Sequence, residues 1–275
     1  MDIRGKRVLV TGASSGLGAE IAKGLASRGA IVAICGRRTT RLDEVLAEIQ
    51  VASPASRAWT VDLGDLDRLE GFAAEVVAEL GGLDLLVNNA GIPKRRWAWD
   101  HRPDEVADVL RVNVESPIRL TLALLDALGA SGGSVVFVGS VAARLAPPNE
   151  AVYAASKAAI TAFAEGLHVD LAVARSGVGV HIIQPGVLGT ELFSTPDNDA
   201  SLADISPLDP SEIVAPLLAA LDAGRLETFV PSWFADLPAV KTADLEGFLA
   251  GAVDYTRQRL VALGWPLPSP PGGVS

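Results

Sequence analysis

Seven short, almost wholly apolar runs alternate with longer helical patterns along this chain, and no other feature limits its fold so strongly. The runs are "RVLVT" (7–11), "IVAIC" (31–35), "RAWTV" (57–61), "LDLLV" (83–87), "SVVFVG" (134–139), "GVHIIQ" (179–184) and "ETFV" (227–230). A strand with one wet face alternates apolar and polar residues, whereas a strand covered on both faces is apolar throughout. Helical patterns fill the intervals at about 17–28, 40–51, 65–80, 103–128, 150–175 and 211–223. Strict alternation of this kind predicts an α/β fold, a doubly wound parallel sheet with helices on both faces. At 275 residues, without a low-complexity linker or an internal repeat, one large domain is expected.

That domain is expected over residues 1–231. It includes an irregular stretch at about 190–210, rich in Pro, Asp and Ser, and such a loop in a compact domain is usually functional or disordered. Residues 232–275 read as an extension packed on the same domain, with a helical pattern over 244–263 and a mobile Pro/Gly-rich tail at about 266–275.

The formal net charge of −10 argues against nucleic acid as a partner, because neutralising phosphates takes basic patches. The single cysteine, Cys35, lies in an apolar run, so no disulfide framework is available and a small buried strand residue is expected. The segment "MDIRGKRVLVTG" passes directly into a strand pattern without the apolar core of a signal peptide. No run of about 18 apolar residues suits a membrane span, so a soluble, cytoplasmic protein is expected. His101, His168 and His181 show no ligand spacing, and no metal site is expected.

A strand, a glycine-rich turn and a helix follow one another in "VLVTGASSGLGAEIAKGL". Gly12, Gly16 and Gly18 give the spacing T-G-x-x-x-G-x-G. Glycines let the backbone turn tightly and approach a pyrophosphate, whose charge is met by the helix N-terminus. The position directly after the first strand favours a dinucleotide site over a merely tight turn. At the end of the second run, "CGRRTTR" places Gly36 where an NAD site usually has an acid, and Arg37 and Arg38 follow. Guanidinium binds a 2′-phosphate well, so NADP(H) is preferred, with NAD(H) as the alternative; solvated loop charges are the competing reading.

Farther along, "AVYAASKAA" puts Tyr153 and Lys157 four residues apart in an alanine-rich helical run, hence on one face. A neighbouring ammonium favours the phenolate and lowers the tyrosine pKa from about 10, toward the working range of a general acid/base. Ser140, at the carboxyl end of a strand, can donate a hydrogen bond to a substrate oxygen. Alone, a Tyr–Lys pair at this spacing equally serves to stabilise a helix surface. Together with "DLLVNNAG", "RVNVESP" and "IQPGVLGT", however, these motifs run in order from Thr11 to Thr190. In that order the chain resembles the short-chain dehydrogenase/reductase family, in its compact single-domain form.

The resemblance implies a Rossmann-type sheet of seven parallel strands in the order 3-2-1-4-5-6-7 and a catalytic tetrad of Asn113, Ser140, Tyr153 and Lys157. It implies an oxidoreductase moving a hydride between NADP(H) and a carbonyl or secondary alcohol, with Tyr153 as general acid/base. Lys157 would also hold the nicotinamide ribose, and Asn113 would support a water-linked proton path. The glycine turn with Ser14, Ser15 and Leu17 would bind the cofactor, Asp62 and Leu63 would lie by the adenine, and Asn89, Ala90 and Gly91 by its ribose. After the turn at Pro185 and Gly186, Leu188 and Thr190 would contact the nicotinamide carboxamide and the pyrophosphate. Asn88 reads as a tie between neighbouring strands. The alternative to an enzyme is a non-catalytic dinucleotide-binding regulator, which would be expected to lack a tetrad member. All four are present.

The substrate is expected to be a small, lipophilic carbonyl compound or alcohol, of unspecified identity. The run "GIPKRRWAWDHRP" holds Lys94, Arg95 and Arg96 beside Trp97 and Trp99. It reads as a solvated loop with its tryptophans packed on the body, in preference to a site for an anionic or aromatic substrate. The apolar pattern over 150–175 resembles the family's dimer seam, so a homodimer or homotetramer is expected. The continuation past Val230 puts tetramer assembly in doubt and offers Trp233 and Phe234 as candidates to line a substrate pocket. Glu246 and Asp254 in its helix argue against contact with a membrane surface.

Overall fold

The computed structural model describes residues 2–191 and 198–269. Part of the expected irregular stretch (192–197) and the end of the tail (270–275) lie outside the described residues. The strands are β1 (Arg7–Thr11), β2 (Ile31–Gly36), β3 (Arg57–Thr60), β4 (Leu85–Asn88), β5 (Ser134–Val138), β6 (Gly179–Pro185) and β7 (Glu227–Val230). They form one sheet in the order β3-β2-β1-β4-β5-β6-β7, parallel at every pairing, as expected. In register, Val8 lies beside Val32 on one side and Leu85 on the other.

The helices are α1 (Gly16–Ala26), α2 (Thr39–Ala52), α3 (Leu69–Leu80), α4 (Pro103–Leu110), α5 (Ser116–Ser131), α6 (Ala151–Ala174), α7 (Val214–Ala223), α8 (Leu237–Ala243) and α9 (Leu245–Leu263). Successive strand residues point to opposite faces. Val8 and Val10 therefore join a core with Ile21 and Leu25 of α1, Ile49 of α2 and Leu217 of α7. Leu9 and Leu86 join the opposite core with Phe72 of α3, Leu124 of α5 and Ile160 of α6. Each such side chain withdrawn from water contributes about 1.5–3 kcal/mol, which explains why the strands carry so few polar residues. Cys35 is buried in the second core, and burial pushes its thiol up to about 12, the inert state expected for it.

The segment between β4 and β5 departs from the expected pattern. In place of a single helix over 103–128, α4 and α5 are joined by a π-turn, Arg111–Glu115. Pro117 supplies the reason. In a continuous α-helix it would offer no N–H to the carbonyl of Asn113 and its ring would clash there, whereas a π-turn opens the ladder at that point. A hydrophobic period cannot reveal one inserted residue.

The strand order reverses between β1 and β4, which leaves a crevice at their carboxyl ends. Past β7, a short turn (Ser232–Asp236) leads into α8, which the sequence pattern did not separate from its surroundings, and then α9. Tyr255 of α9 accepts a hydrogen bond from the Asp204 N–H at 2.8 Å, and Arg259 pairs with Asp204 at 3.1 Å. The extension thus grips the stretch that follows β6. Among the described residues no helix is long and apolar enough to cross a membrane.

Candidate active site

A cavity of about 730 Å³ runs along the carboxyl ends of the strands. In sheet order it is lined by Asp62 and Leu63 after β3, Arg37 and Arg38 after β2, and Gly12, Ser14, Ser15, Gly16, Leu17 and Gly18 after β1. Asn89, Ala90 and Gly91 follow β4, Ser140 follows β5, and Pro185, Gly186, Leu188 and Thr190 end or follow β6, with Tyr153 and Lys157 facing in from α6. The structure therefore brings together every residue expected at the cofactor, and three of the expected tetrad.

The turn after β1 is stitched to the loop after β4. The Thr11 hydroxyl accepts from the N–H groups of Asn89 and Ala90, both at 3.0 Å, and the Asn89 amide donates to the Thr11 carbonyl at 2.9 Å. Gly12 has φ +66°, and a Cβ there would come within 2.7 Å of Ala90 Cα. Thr11 was missed as a site residue; its signal is a hydroxyl ending an apolar run just before the glycine turn. Asn88 proves not to tie strand to strand, because its amide donates to Thr121 of α5 at 2.9 Å.

Arg38 reaches across the cleft mouth. It donates to Ser14 Oγ at 3.1 Å and pairs with Glu191 at 2.7 Å. Hydrogen bonds from Ser15 and Arg38 hold the Glu191 carboxyl below its usual range. Glu191 stands 153 positions from Arg38 in sequence, so no local pattern pointed to it.

At the other end, Tyr153 and Lys157 are buried on α6. Lys157 Nζ donates to the Val138 carbonyl at 2.8 Å and lies 5.8 Å from the centroid of the Tyr153 ring. Burial pushes the Lys157 ammonium down to about 8. Burial raises the Tyr153 phenol, the Glu150 charge raises it further, and a hydrogen bond with Ser140 and the charge of Arg95 offset this only in part. The expected lowering by Lys157 is thus overturned: its ammonium is committed to a backbone carbonyl, and desolvation outweighs nearby charge.

Asn113 does not line the cavity. It lies in the π-turn, where its Oδ1 accepts from the Ile92 N–H at 2.7 Å and its Nδ2 donates to the Ile92 carbonyl at 3.0 Å. Nδ2 also donates to Ser156 Oγ at 3.0 Å, and that hydroxyl donates to the Tyr153 carbonyl at 2.7 Å. Asn113 therefore clasps the loop after β4 and reaches the Tyr153 turn through Ser156, a residue inside "YAASK" that sequence reasoning passed over.

The expectation of a solvated loop at 94–96 is also corrected. Lys94 and Arg95 are each 7% exposed. Lys94 pairs with Glu105 at 2.9 Å, and Arg95 with Glu150 at 2.6 Å. The Arg95 N–H further donates to Asn198 Oδ1 at 2.7 Å, so the segment underlies the loop after β6. Trp97 and Trp99 stack on each other at 5.7 Å, and Trp99 is 43% exposed instead of packed on the body. Nor do Trp233 and Phe234 line the cavity. They stack together, Phe234 against Gly186 from behind the Pro-Gly turn and Trp233 half exposed.

The family model described as short chain dehydrogenase matches residues 6–200. The chain belongs to the short-chain dehydrogenase family. Among its relatives, hydroxysteroid 11-beta-dehydrogenase 1-like protein A of Xenopus laevis is 34% identical over 84% of this chain and 79% of its own. The chain spans between 59 and 67% of the length of several other curated relatives. A solved short-chain dehydrogenase from Burkholderia cenocepacia, in complex with NADP, is 34% identical with a TM-score of 0.73, covering 83% of this chain and 97% of that one. A short-chain dehydrogenase/reductase from Burkholderia phymatum, in complex with NAD, reaches a TM-score of 0.82 over 90% of this chain and 96% of that one. At 21% identity it speaks for the fold alone.

A dinucleotide of the kind implied for a short-chain dehydrogenase fits the residues present. The cavity falls within the range of about 300–1,000 Å³ usual for small-molecule sites. Gly16, Leu17 and Gly18 open α1 at its wall, and the first turn of a helix leaves N–H groups free to meet an anion. Arg37 and Arg38 supply positive charge at the same end.

Proposed function

We propose that this short-chain dehydrogenase is an NADP(H)-dependent oxidoreductase that interconverts a lipophilic carbonyl compound and its secondary alcohol. One observation carries the reading: Ser140, Tyr153 and Lys157 share a single cavity with the glycine turn and the Arg37–Arg38 pair. A nicotinamide dinucleotide bound there would supply or accept the hydride. Tyr153 then acts on the substrate oxygen. Its phenol, kept protonated by burial, can give its proton to the alkoxide that carbonyl reduction creates, which matches the reductive direction. The Ser140 hydroxyl donates a second hydrogen bond to the same oxygen. Lys157, directed into the cleft from α6, offers N–H donors to the ribose. Asn113 and Ser156 hold the Tyr153 turn against the loop after β4.

The relative described as hydroxysteroid 11-beta-dehydrogenase 1-like supports a lipophilic ketone or alcohol as the substrate class. Tyr153→Phe should cost about 10²–10⁴ in kcat while NADPH still binds, and a near-wild-type kcat would overturn the assignment. A second reading, NAD(H), is favoured by one contact: Glu191 already neutralises Arg38. Comparing kcat/KM for NADPH and NADH decides between them. Val169 and Val173, exposed on α6, support self-association as a homo-oligomer, which light scattering would measure.

A further inference from the structure

Gln184 is 0% exposed near the end of β6, a strand whose neighbouring positions are apolar. A buried primary amide is costly unless its donors and its acceptor find partners. Here Nε2 donates to Glu227 Oε1 of β7 at 2.9 Å and to Thr161 Oγ1 of α6 at 3.2 Å. Oε1 accepts from the backbone N–H of Ser140 at 2.7 Å. An ionised carboxylate can only accept, so Glu227 fixes which end of the amide faces Ser140.

The place of that third bond matters. The ladder between β5 and β6 ends where the Gly139 N–H meets the Ile183 carbonyl at 2.8 Å. The next N–H, that of Ser140, takes a side chain as its acceptor in place of a strand. Gly139 makes the approach feasible, since a Cβ there would overlap Gln184 Oε1. From Ser140 the chain turns at once into Val141–Ala143, with Ser140 Oγ accepting from the Ala142 N–H at 3.1 Å. The amide thus anchors the backbone from which the Ser140 side chain departs.

The anchor is itself braced. Arg144, at the far end of the same turn, pairs with Glu227 at 3.0 Å and also with Glu165. Lys241 of α8 donates to the Arg144 carbonyl at 3.0 Å. Two strands, α6 and the C-terminal extension therefore converge on the five residues that follow Gly139, Ser140 to Arg144.

We infer that Gln184 is a positioning residue for Ser140, holding its hydroxyl in register with Tyr153 through the partly buried link to Glu227 and Arg144. The inference rests on the catalytic role of Ser140 given above. A double-mutant cycle at saturating NADPH, with a ketone that the wild type reduces, tests it. Gln184→Met keeps length and removes the amide; it should lower kcat by roughly 10–100-fold, the scale of a small misplacement at a reacting centre. The NADPH Kd, read by fluorescence titration, should stay at its wild-type value. In the Ser140→Ala background the same substitution should have no further effect, because the group it positions is gone. Independent, multiplicative losses would overturn the inference, as would a Kd that rises in step with the fall in kcat. If Gln184→Met does not fold, Glu227→Gln takes its place in the cycle, with a smaller loss of kcat that must again vanish beside Ser140→Ala. A Ser140→Ala enzyme with wild-type kcat would remove the catalytic role itself. A defective Ser140→Ala beside a fully active Gln184→Met would remove the positioning role alone.

Discussion

Two basic runs border the cleft, Arg37–Arg38 after β2 and Lys94–Arg95–Arg96 after β4, and in the sequence they look alike. In the structure they are opposites. Arg38 has a side chain 48% exposed and contacts hydroxyls and one carboxylate at the mouth. Lys94 and Arg95 lie beneath the surface, Lys94 against the buried Glu105 and Arg95 against the largely covered Glu150. A charge in water is free to meet an incoming anion, whereas a charge withdrawn from water must already have its partner. The first run is therefore suited to binding and the second to holding a loop in place. Only the location of the acids, Glu105 and Glu150, tells them apart.

The strongest way to break this contrast is to orphan the acid that faces Arg95. Arg95→Met leaves Glu150 without its partner, and urea unfolding should show a loss of about 3–5 kcal/mol. Replacing both as Arg95→Met with Glu150→Leu should restore most of it, since an apolar pair often substitutes well for a buried ion pair. Next in size, Arg38→Ala should weaken NADPH binding by about 1.5–3 kcal/mol, the worth of hydrogen bonds to a charged group, and leave NADH binding unchanged by calorimetry. Its effect on unfolding should stay within about 0–1 kcal/mol, as for other exposed pairs.

Acid should bring a third, partial difference. Burial pushes the Glu105 carboxyl up, but the bonds from Lys94 and the Arg102 N–H more than offset it and leave it at about 2 instead of 4.5. With a folded-state pKa below the unfolded one, its contribution is complete above 4.5 and disappears as pH falls toward 2. The gap in melting temperature between wild type and Glu105→Gln should therefore narrow across that range, and a constant gap would contradict the pairing. The smallest change is expected from Glu191→Gln, which frees Arg38 and should tighten NADPH by less than about 1 kcal/mol in the same titration.

The sheet was legible because burial on both faces leaves a strand no choice but apolar residues, and β1 and β5 fall at the expected positions. The glycine turn was legible for a similar reason: Gly12 needs a positive φ and a close approach to Ala90 that few residues permit. What stayed hidden depends on partners far apart in the chain. Gln184 looks like an ordinary strand end until Ser140 and Glu227 stand beside it. Arg95 looks solvated until Glu150, 55 positions away, is placed against it. The protonation of Tyr153 was misjudged because spacing reports which groups are neighbours and says nothing of how much water they have lost.

The π-turn at Arg111–Glu115 has a consequence of another kind. An α-helix advances about 100° per residue, so the extra residue resets the phase between α4 and α5 by roughly that angle. On one side of the reset, Val112 meets the cavity and Asn113 clasps Ile92. On the other, Leu120, Leu124 and Leu128 face the sheet. Deleting any one residue between them would turn α5 by about 100° against α4, and no common rotation of the two helices would then satisfy both faces. Here an insertion or deletion is more damaging than a substitution, and the number of residues in the segment is as much a part of the site as their identity.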